Sequence, residues 1–484
     1  MSSHRASLAL TRRSFLYSGA AFGGWMASGA PWSPAFAAAP VLKVDTRTIE
    51  VNKKAAKVFS VLGADGRSGV FAKEGDRFSG GLLNASSDPL QMHWHGQVKA
   101  PFDQDRARPG GGTLAVGQTD IHDFELTPGT HWMHSHTLSE QQLLAAPMIT
   151  REKDAGDAQD VVIMLHDFAF RTPQEILAEL GGTTAHAGQG APSANDPHAA
   201  NRSSASMPHG PGHMMGMAHA NDVRYDAFLA NDRTFDDPDT VKVEKGGRVR
   251  LRIINGGTAT AFSISTPGLT STAIAVDGMP CQPVQASSYP LAQGQRIDLL
   301  VEIPKDGGAF PVLAQVEDAQ FMTGIILATP GAAIIKRATA ADKKNGMIDL
   351  GFETSLRATQ PLADKRPDKS FAVILGEERG YRWTINGRIH GEHQPFEVRQ
   401  GERVEMTFMN PTTMMHPMHL HGHHFQVVAV GGRRFSGAVR DTLIVPSHAP
   451  ITVAFDANMK GSWFLHCHHL YHMATGMMTE VRIV

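Results

Sequence analysis

Apolar residues recur at every second position through much of the chain, as in Val249, Leu251 and Ile253 or Phe396 and Val398. That period marks strands with one face toward a core and the other toward water, and it predicts an all-β protein built of antiparallel strands. Three of these strands carry a longer shared pattern: a Gly, one residue, an Arg, then an Asn nine residues after the Gly. They are Gly75, Arg77 and Asn84; Gly246, Arg248 and Asn255; and Gly401, Arg403 and Asn410. A spacing of 155 to 171 residues is too long for a solenoid unit and fits three related β-sandwich domains.

The residues downstream of each Asn set the three repeats apart. Nine and eleven residues beyond Asn84 come His93 and His95, and at the same offsets beyond Asn410 come His419 and His421. The middle repeat has Ile264 and Thr266 there. The outer domains therefore carry metal-ligand residues, and the middle one is expected to be a metal-free spacer.

Four His-x-His pairs stand out: His93/His95, His134/His136, His419/His421 and His466/His468. At this histidine content roughly one such pair is expected by chance. Residues i and i+2 of a strand point to the same face, so each pair presents two imidazoles to one cluster. Eight imidazoles suit a group of three metal ions with room for a small ligand, although imidazole alone does not choose the metal. Cys467 does. It lies between His466 and His468, so its sulfur points away from their cluster, with His472 five residues on, Met477 five further, and His416 three residues before His419. Two His, one Cys thiolate and a weak Met form a blue-copper set. Through its own main chain Cys467 is bonded to both His466 and His468, a short route for electrons between the two sites. The first domain has Ser135 at the matching position, which cannot be a thiolate ligand. The expected total is four coppers: one blue site in the third domain and a trinuclear cluster between the first and third.

The segments HWHG at 93–96, WMHSH at 132–136, HPMHLHG at 416–422 and HCHHLYHMATGMM at 466–478 resemble the four copper motifs of three-domain multicopper oxidases, and the resemblance covers essentially the whole chain beyond residue 37. It implies three cupredoxin-like Greek-key β-sandwich domains, at 38–170, 222–340 (without copper) and 341–484. It implies type 1 ligands His416, Cys467, His472 and Met477, type 2 ligands His93 and His419, and type 3 ligands His95, His134, His136, His421, His466 and His468. The tail around Tyr471-His472-Met473 is most similar to the bacterial copper-resistance oxidases within that group. Two positions depart from the pattern. Some relatives place an acid directly after the type 1 histidine, where this chain has Met473. The residue that resembles the other acid near the cluster is Asp103, in a register shifted by about one position.

Other stretches shape the setting. Thr11-Arg12-Arg13-Ser14-Phe15-Leu16 has a twin-arginine pattern, followed by a short, mildly apolar run and the small-x-small site Ala35-Phe36-Ala37. This reads as a signal peptide over 1–37 and predicts export, folded, to a bacterial periplasm or beyond. Its removal takes three of the 45 basic residues and none of the 47 acidic ones, leaving net charge -5. No basic surplus points to nucleic acid, and no later run is apolar and long enough to span a bilayer. Residues 171–221 hold a Gly, Ala, Ser, Pro, His and Met-rich stretch with Met207, His209, His213, Met214, Met215, Met217 and His219, expected as a flexible loop between the first two domains. With only Cys281 and Cys467, no disulfide framework is expected, and Cys281 reads as a small buried apolar residue. Histidines outside the motifs, among them His122, His131, His424 and His469, read as core, surface or supporting residues.

These observations and the resemblance together lead to the expectation of an oxidase that takes single electrons from a small reductant and gives them to dioxygen. Cu(I), collected by the Met/His stretch, is the foremost candidate; a laccase-like oxidation of phenols or aromatic amines is the alternative. A copper-sequestering protein is the rival of another class, but storage needs no Cys link to an oxygen site. Three domains in one chain complete the cluster without a partner, so a monomer is expected.

Overall fold

The structure is a computed structural model that describes residues 41–182, 220–335 and 338–484. Strands dominate it, and the α-helices are the short segments Pro173–Glu179, Gly351–Ser355 and Leu470–Ala474. Six sheets pack in pairs across three apolar cores. Val44, Phe78, Leu82, Trp94 and Met133 fill the first, between the sheet holding Arg77–Asn84 and the sheet holding Met92–His95 and Gly129–Ser135. Leu251, Ile253, Ile297 and Leu299 meet Phe262, Ile264, Val312 and Ile325 in the second. Val404, Met406, Phe408 and Val453 meet Leu420, Leu443, Leu465 and Val481 in the third. These are the all-β sandwiches that the alternating pattern predicts.

The repeated residues have a common physical job. Gly75, Gly246 and Gly401 turn the chain into the repeat strand with φ of 96°, 69° and 84°, values that favour Gly. The Asn at the far end is buried and clamps two carbonyls from separate segments. Asn84 Nδ2 donates to Asp88 O and Leu114 O, Asn255 Nδ2 to Thr260 O and Leu291 O, and Asn410 Nδ2 to Met414 O and Val445 O, at 2.7–3.0 Å. In each case the Asn Oδ1 accepts the N–H two residues on, an Asx turn that aims the chain into the next strand. In the outer sandwiches that next strand carries His93 and His95, or His419 with His421 directly beyond its end.

Each repeat strand also pairs in parallel with a strand that opens its sandwich: Val41–Val51, Gln159–Phe168 and Lys369–Glu378. The second of these corrects an expectation. Gln159–Phe168 falls inside the range 38–170 expected for the first domain, yet it pairs with Arg248–Asn255 and with Ala227–Ala230 in the second sandwich. The stretch 171–221 therefore leaves and rejoins one sheet of the second sandwich instead of joining two domains. Parallel pairing across some ninety residues leaves no local signal in the sequence. Its described start is helical: Thr172 and Glu175 form a reciprocal capping box, with Pro173 in the first turn of helix Pro173–Glu179. The Met- and His-rich part, and the proposed signal segment, lie outside the described residues.

The second sandwich is tied to its neighbours by charge. Arg250 and Arg252, on the polar face of their strand, are buried against Glu152 and Asp298, with Asp160 on Arg252. Arg296, fully buried, holds Asp441 of the third sandwich through both terminal guanidinium nitrogens at 2.6 Å. What alternation alone presents as a solvated face is an interface.

Candidate metal centre

Two antiparallel strand pairs carry the histidines. Met92–His95 pairs with Gly129–Ser135 so that His93 lies opposite His134, and His416–Leu420 pairs with Gly461–Cys467 so that His419 lies opposite His466. The two pairs face each other across the first and third sandwiches. All eight paired histidines are buried, none more than 4 % exposed. Their ring nitrogens converge: His93 Nε2 is 3.2 Å from His419 Nε2, His136 Nε2 3.2 Å and His421 Nε2 3.0 Å from His466 Nε2, and His95 Nδ1 3.4 Å from His134 Nε2.

The opposite nitrogens are engaged by protein oxygens, which fixes the tautomers. His93 Nδ1 meets Asp105 Oδ2 at 2.7 Å, and His95 Nε2 meets Asp441 Oδ1 at 3.0 Å. His419 Nδ1 meets the Asp441 carbonyl, His421 Nδ1 the Ala107 carbonyl, His466 Nδ1 the Cys467 carbonyl and His134 Nδ1 the Ser135 carbonyl, at 2.8–3.1 Å. His95 thus presents Nδ1 to the centre, where His93, His134, His419, His421 and His466 present Nε2. His468 has no hydrogen-bond partner on either nitrogen among the described residues. Burial pushes His95, His419, His421 and His468 well below the usual histidine value, so the rings are neutral at pH 7 and free to act as ligands.

On the other side of the same strand, Cys467 Sγ lies 3.7 Å from His416 Nδ1 and 3.9 Å from His472 Nδ1, and those two nitrogens are 3.2 Å apart. His416 Nε2–H donates to Thr412 Oγ1 (2.9 Å), and Thr412 Oγ1–H to Asn410 Oδ1 (2.7 Å), so the repeat Asn also orients this ring. His472 is packed between the rings of Trp383 (3.8 Å) and His469 (3.7 Å). Met477 shares the core of Cys467 and Trp383, whereas Met478 packs in a different apolar group with Phe464 and Tyr471. The Met473 side chain is buried in that second group. Burial pushes the Cys467 thiol up, so the thiolate needs a cation beside it.

The structure therefore brings together His93, His95, His134, His136, His419, His421, His466 and His468 as one group and His416, Cys467 and His472 as another, with Met477 in the core beside Cys467. It does not bring in Asp103. That residue sits exposed on the short turn Phe102–Gln104, and the carboxylate that reaches His93 is Asp105, 5 % exposed. The turn takes up the residues that an extended register leaves out. Three more acids have no motif to announce them: Asp441, Glu140 with Oε1 3.2 Å from His134 Nδ1, and Asp222 with Oδ2 3.4 Å from His472 Nε2. Asp441 follows Arg440 in what reads as an ordinary turn; burial pushes its carboxyl up, but Arg296 holds it below the usual range.

The donor set fits copper. Eight buried imidazoles with nitrogens aimed at one another, both nitrogens of His468 without a hydrogen-bond partner among the described residues, are costly to bury unless a cation lies among them. A thiolate with two imidazoles and a thioether is a soft set that copper favours.

Comparison with known proteins agrees. Multicopper oxidase family models match residues 159–337 and 363–484. The chain is 30% identical to "Multicopper oxidase MmcO" of Mycobacterium tuberculosis, over 85% of this chain and 80% of that protein. It is 23% identical to a "Copper resistance protein A homolog" of Pseudomonas syringae pv. tomato (85% and 86% covered) and to "Laccase-4" of Thanatephorus cucumeris (90% and 88%). Among solved structures it resembles Fet3p, described as a multicopper oxidase that functions in iron import, with a TM-score of 0.72 at 18% identity, covering 92% of this chain and 90% of that one. The chain belongs to the multicopper oxidase family, copper-dependent oxidoreductases that use oxygen, and its fold is that of their cupredoxin sandwiches.

Proposed function

We propose that this protein couples the one-electron oxidation of a small cationic reductant, foremost Cu(I), to the reduction of dioxygen to water. His416, Cys467, His472 and Met477 would hold a type 1 copper. His93 and His419 would hold a type 2 copper, and His95, His134, His136, His421, His466 and His468 a type 3 pair. The chemistry that copper supplies when bound is one-electron exchange and the four-electron reduction of dioxygen.

The observation that carries this reading is the back-to-back arrangement at Cys467, with Sγ turned to His416 and His472 while the adjacent His466 turns Nε2 to His136 and His421. Cys467 joins the two sites by covalent bonds. Asp105 and Asp441 keep the outer nitrogens of His93 and His95 engaged, so the inner nitrogens stay available. Packing around the rings keeps bulk water out.

For the reductant, the outward edge of His472 leads to Asp222, whose side chain is 17% exposed and which also accepts from the Tyr381 hydroxyl at 2.5 Å. A carboxylate at that edge suits a cation. The thioethers and imidazoles of the Met/His stretch are soft ligands of the kind that Cu(I) favours. With the twin-arginine segment, this supports a role in copper tolerance in the periplasm or outside the cell, for an enzyme acting as a monomer.

Oxygen uptake by the copper-loaded chain, with Cu(I) and with a simple phenol, tests the reading on the intact protein, a deletion of residues 200–220, and Cys467→Ser. We expect Cu(I)-driven uptake that falls in the deletion while phenol turnover holds, and loss of both in Cys467→Ser. Strong phenol turnover with weak Cu(I) oxidation would make the enzyme laccase-like. Copper binding without uptake would make it a sequestering protein.

A further inference from the structure

The first sandwich keeps the outline of a second blue-copper position. Counted from the His-x-His pairs, Ser135 stands where Cys467 stands, and Glu140, four residues beyond His136, stands where His472 stands, four residues beyond His468. The local structure agrees: the helical turn Leu138–Gln142 starts two residues after His136, as helix Leu470–Ala474 starts two residues after His468. With no thiolate to serve, the side chain at position 140 has turned to the cluster.

We propose that Glu140 is a positioning residue of the oxygen-reducing cluster: its carboxylate holds the Nδ1 edge of His134 and keeps Nε2 of that ring aimed at His95 and the metals. This rests on the copper assignment above. Glu140 is 3% exposed, and among the described residues the one basic side chain within ion-pair distance is His134, at 3.2 Å. A carboxylate so deep in the protein is costly unless it meets a proton donor. His134 donates to the Ser135 carbonyl as His466 does to the Cys467 carbonyl, both at 2.9 Å. Glu140 Oε1 lies 3.2 Å from the same nitrogen without a hydrogen bond of its own, so it meets that ring edge as an ionic contact beside the Ser135 carbonyl.

The turn itself is held under strain. It closes on Leu143, a buried non-Gly residue in left-handed conformation (φ 61°, ψ 31°), whose N–H donates to the Glu140 carbonyl at 3.0 Å. Such a conformation costs about 1–2 kcal/mol and persists only where the surroundings impose it. Gln141 shows how they do. Its Oε1 accepts from Thr258 Oγ1 (2.6 Å) and Tyr225 OH (3.2 Å) of the second sandwich and from Tyr471 OH (3.1 Å) of the third. Donors from the second and third sandwiches thus fix a turn of the first, and that turn sets Glu140 against His134.

The test compares Glu140→Ala and Glu140→Gln with the wild type by copper per chain, the absorption of the Cys467 thiolate site, the fraction of copper visible to electron paramagnetic resonance, and steady-state kinetics. Glu140→Ala should keep the thiolate absorption and the KM for reductant, while cluster copper or its spin coupling is lost and kcat falls by about tenfold or more. Glu140→Gln keeps an acceptor oxygen and should stay near the wild type. The proposal is overturned if Glu140→Ala matches the wild type in copper content, spin signal and kcat. Loss of the thiolate absorption together with the cluster would also overturn it, because that marks a general role in folding. A wild type holding fewer than four coppers would remove the copper assignment itself, and this inference with it.

Discussion

Cys467 faces two ways because a strand alternates its side chains, and so a single residue can end one metal site and flank the next. Single residues away from the site can be equally decisive for stability. Glu317 is 4% exposed and accepts the Ile348 N–H at 2.7 Å. Burial raises its pKa from 4.5 to about 7. The folded protein therefore keeps a proton that the unfolded chain loses near pH 4.5. This group favours the fold at acid pH, and its contribution is lost as pH rises from about 4.5 through 7. Glu317→Gln removes that loss. It should raise stability by about 1–3 kcal/mol at pH 8 and change little at pH 5, read as the difference in melting temperature between the two. Equal shifts at both pH values would contradict the account.

At the scale of elements, the three Asn clamps make a natural comparison. Each closes a loop by two buried hydrogen bonds, and removing such a group costs about 2–4 kcal/mol. In the second sandwich the clamped loop leads to Ile264, and in the third it leads to His416 through Thr412. Asn255→Ala should thus lower the melting temperature and leave copper per folded chain unchanged. Asn410→Ala should lower the melting temperature and also weaken the thiolate absorption. Identical copper content in both variants would show that the clamp does not orient His416.

These elements also show what the sequence discloses. The strands, the triple repeat and all twelve motif residues are legible because each rests on a local signal: a period of two, a fixed offset, a His-x-His pair. The parts that stay hidden are contacts between distant segments. Gln159–Phe168 alternates like any strand, but only its parallel partner Arg248–Asn255 reveals which sandwich owns it. Asp105 escapes because a turn of three residues shifts the register that points to Asp103. Asp222 reaches His472 from a distant segment, Glu140 returns to His134 only because the turn Leu138–Gln142 folds back on its strand, and Arg250 and Arg252 sit on what alternation presents as a wet face. Helix Pro173–Glu179 is readable from Thr172, Pro173 and Glu175, but the polar composition of the stretch obscures it.

For the molecule as a whole, three sandwiches with unequal jobs account for the arrangement. The first and third supply four histidines each to one cluster. The second supplies none; its Arg296 grips Asp441, whose carboxylate and carbonyl engage His95 and His419. Among the described residues no helix is long and apolar enough to cross a membrane. The central claim is that single electrons gathered at Cys467 are delivered together to dioxygen at the histidine cluster. The most direct measurement is the number of molecules consumed of a one-electron reductant that does not itself react with oxygen, per molecule of dioxygen taken up. Four per dioxygen, with no peroxide released, is the predicted result. Two per dioxygen, with one peroxide for each, would contradict the account, because the two sites would then not be working as one.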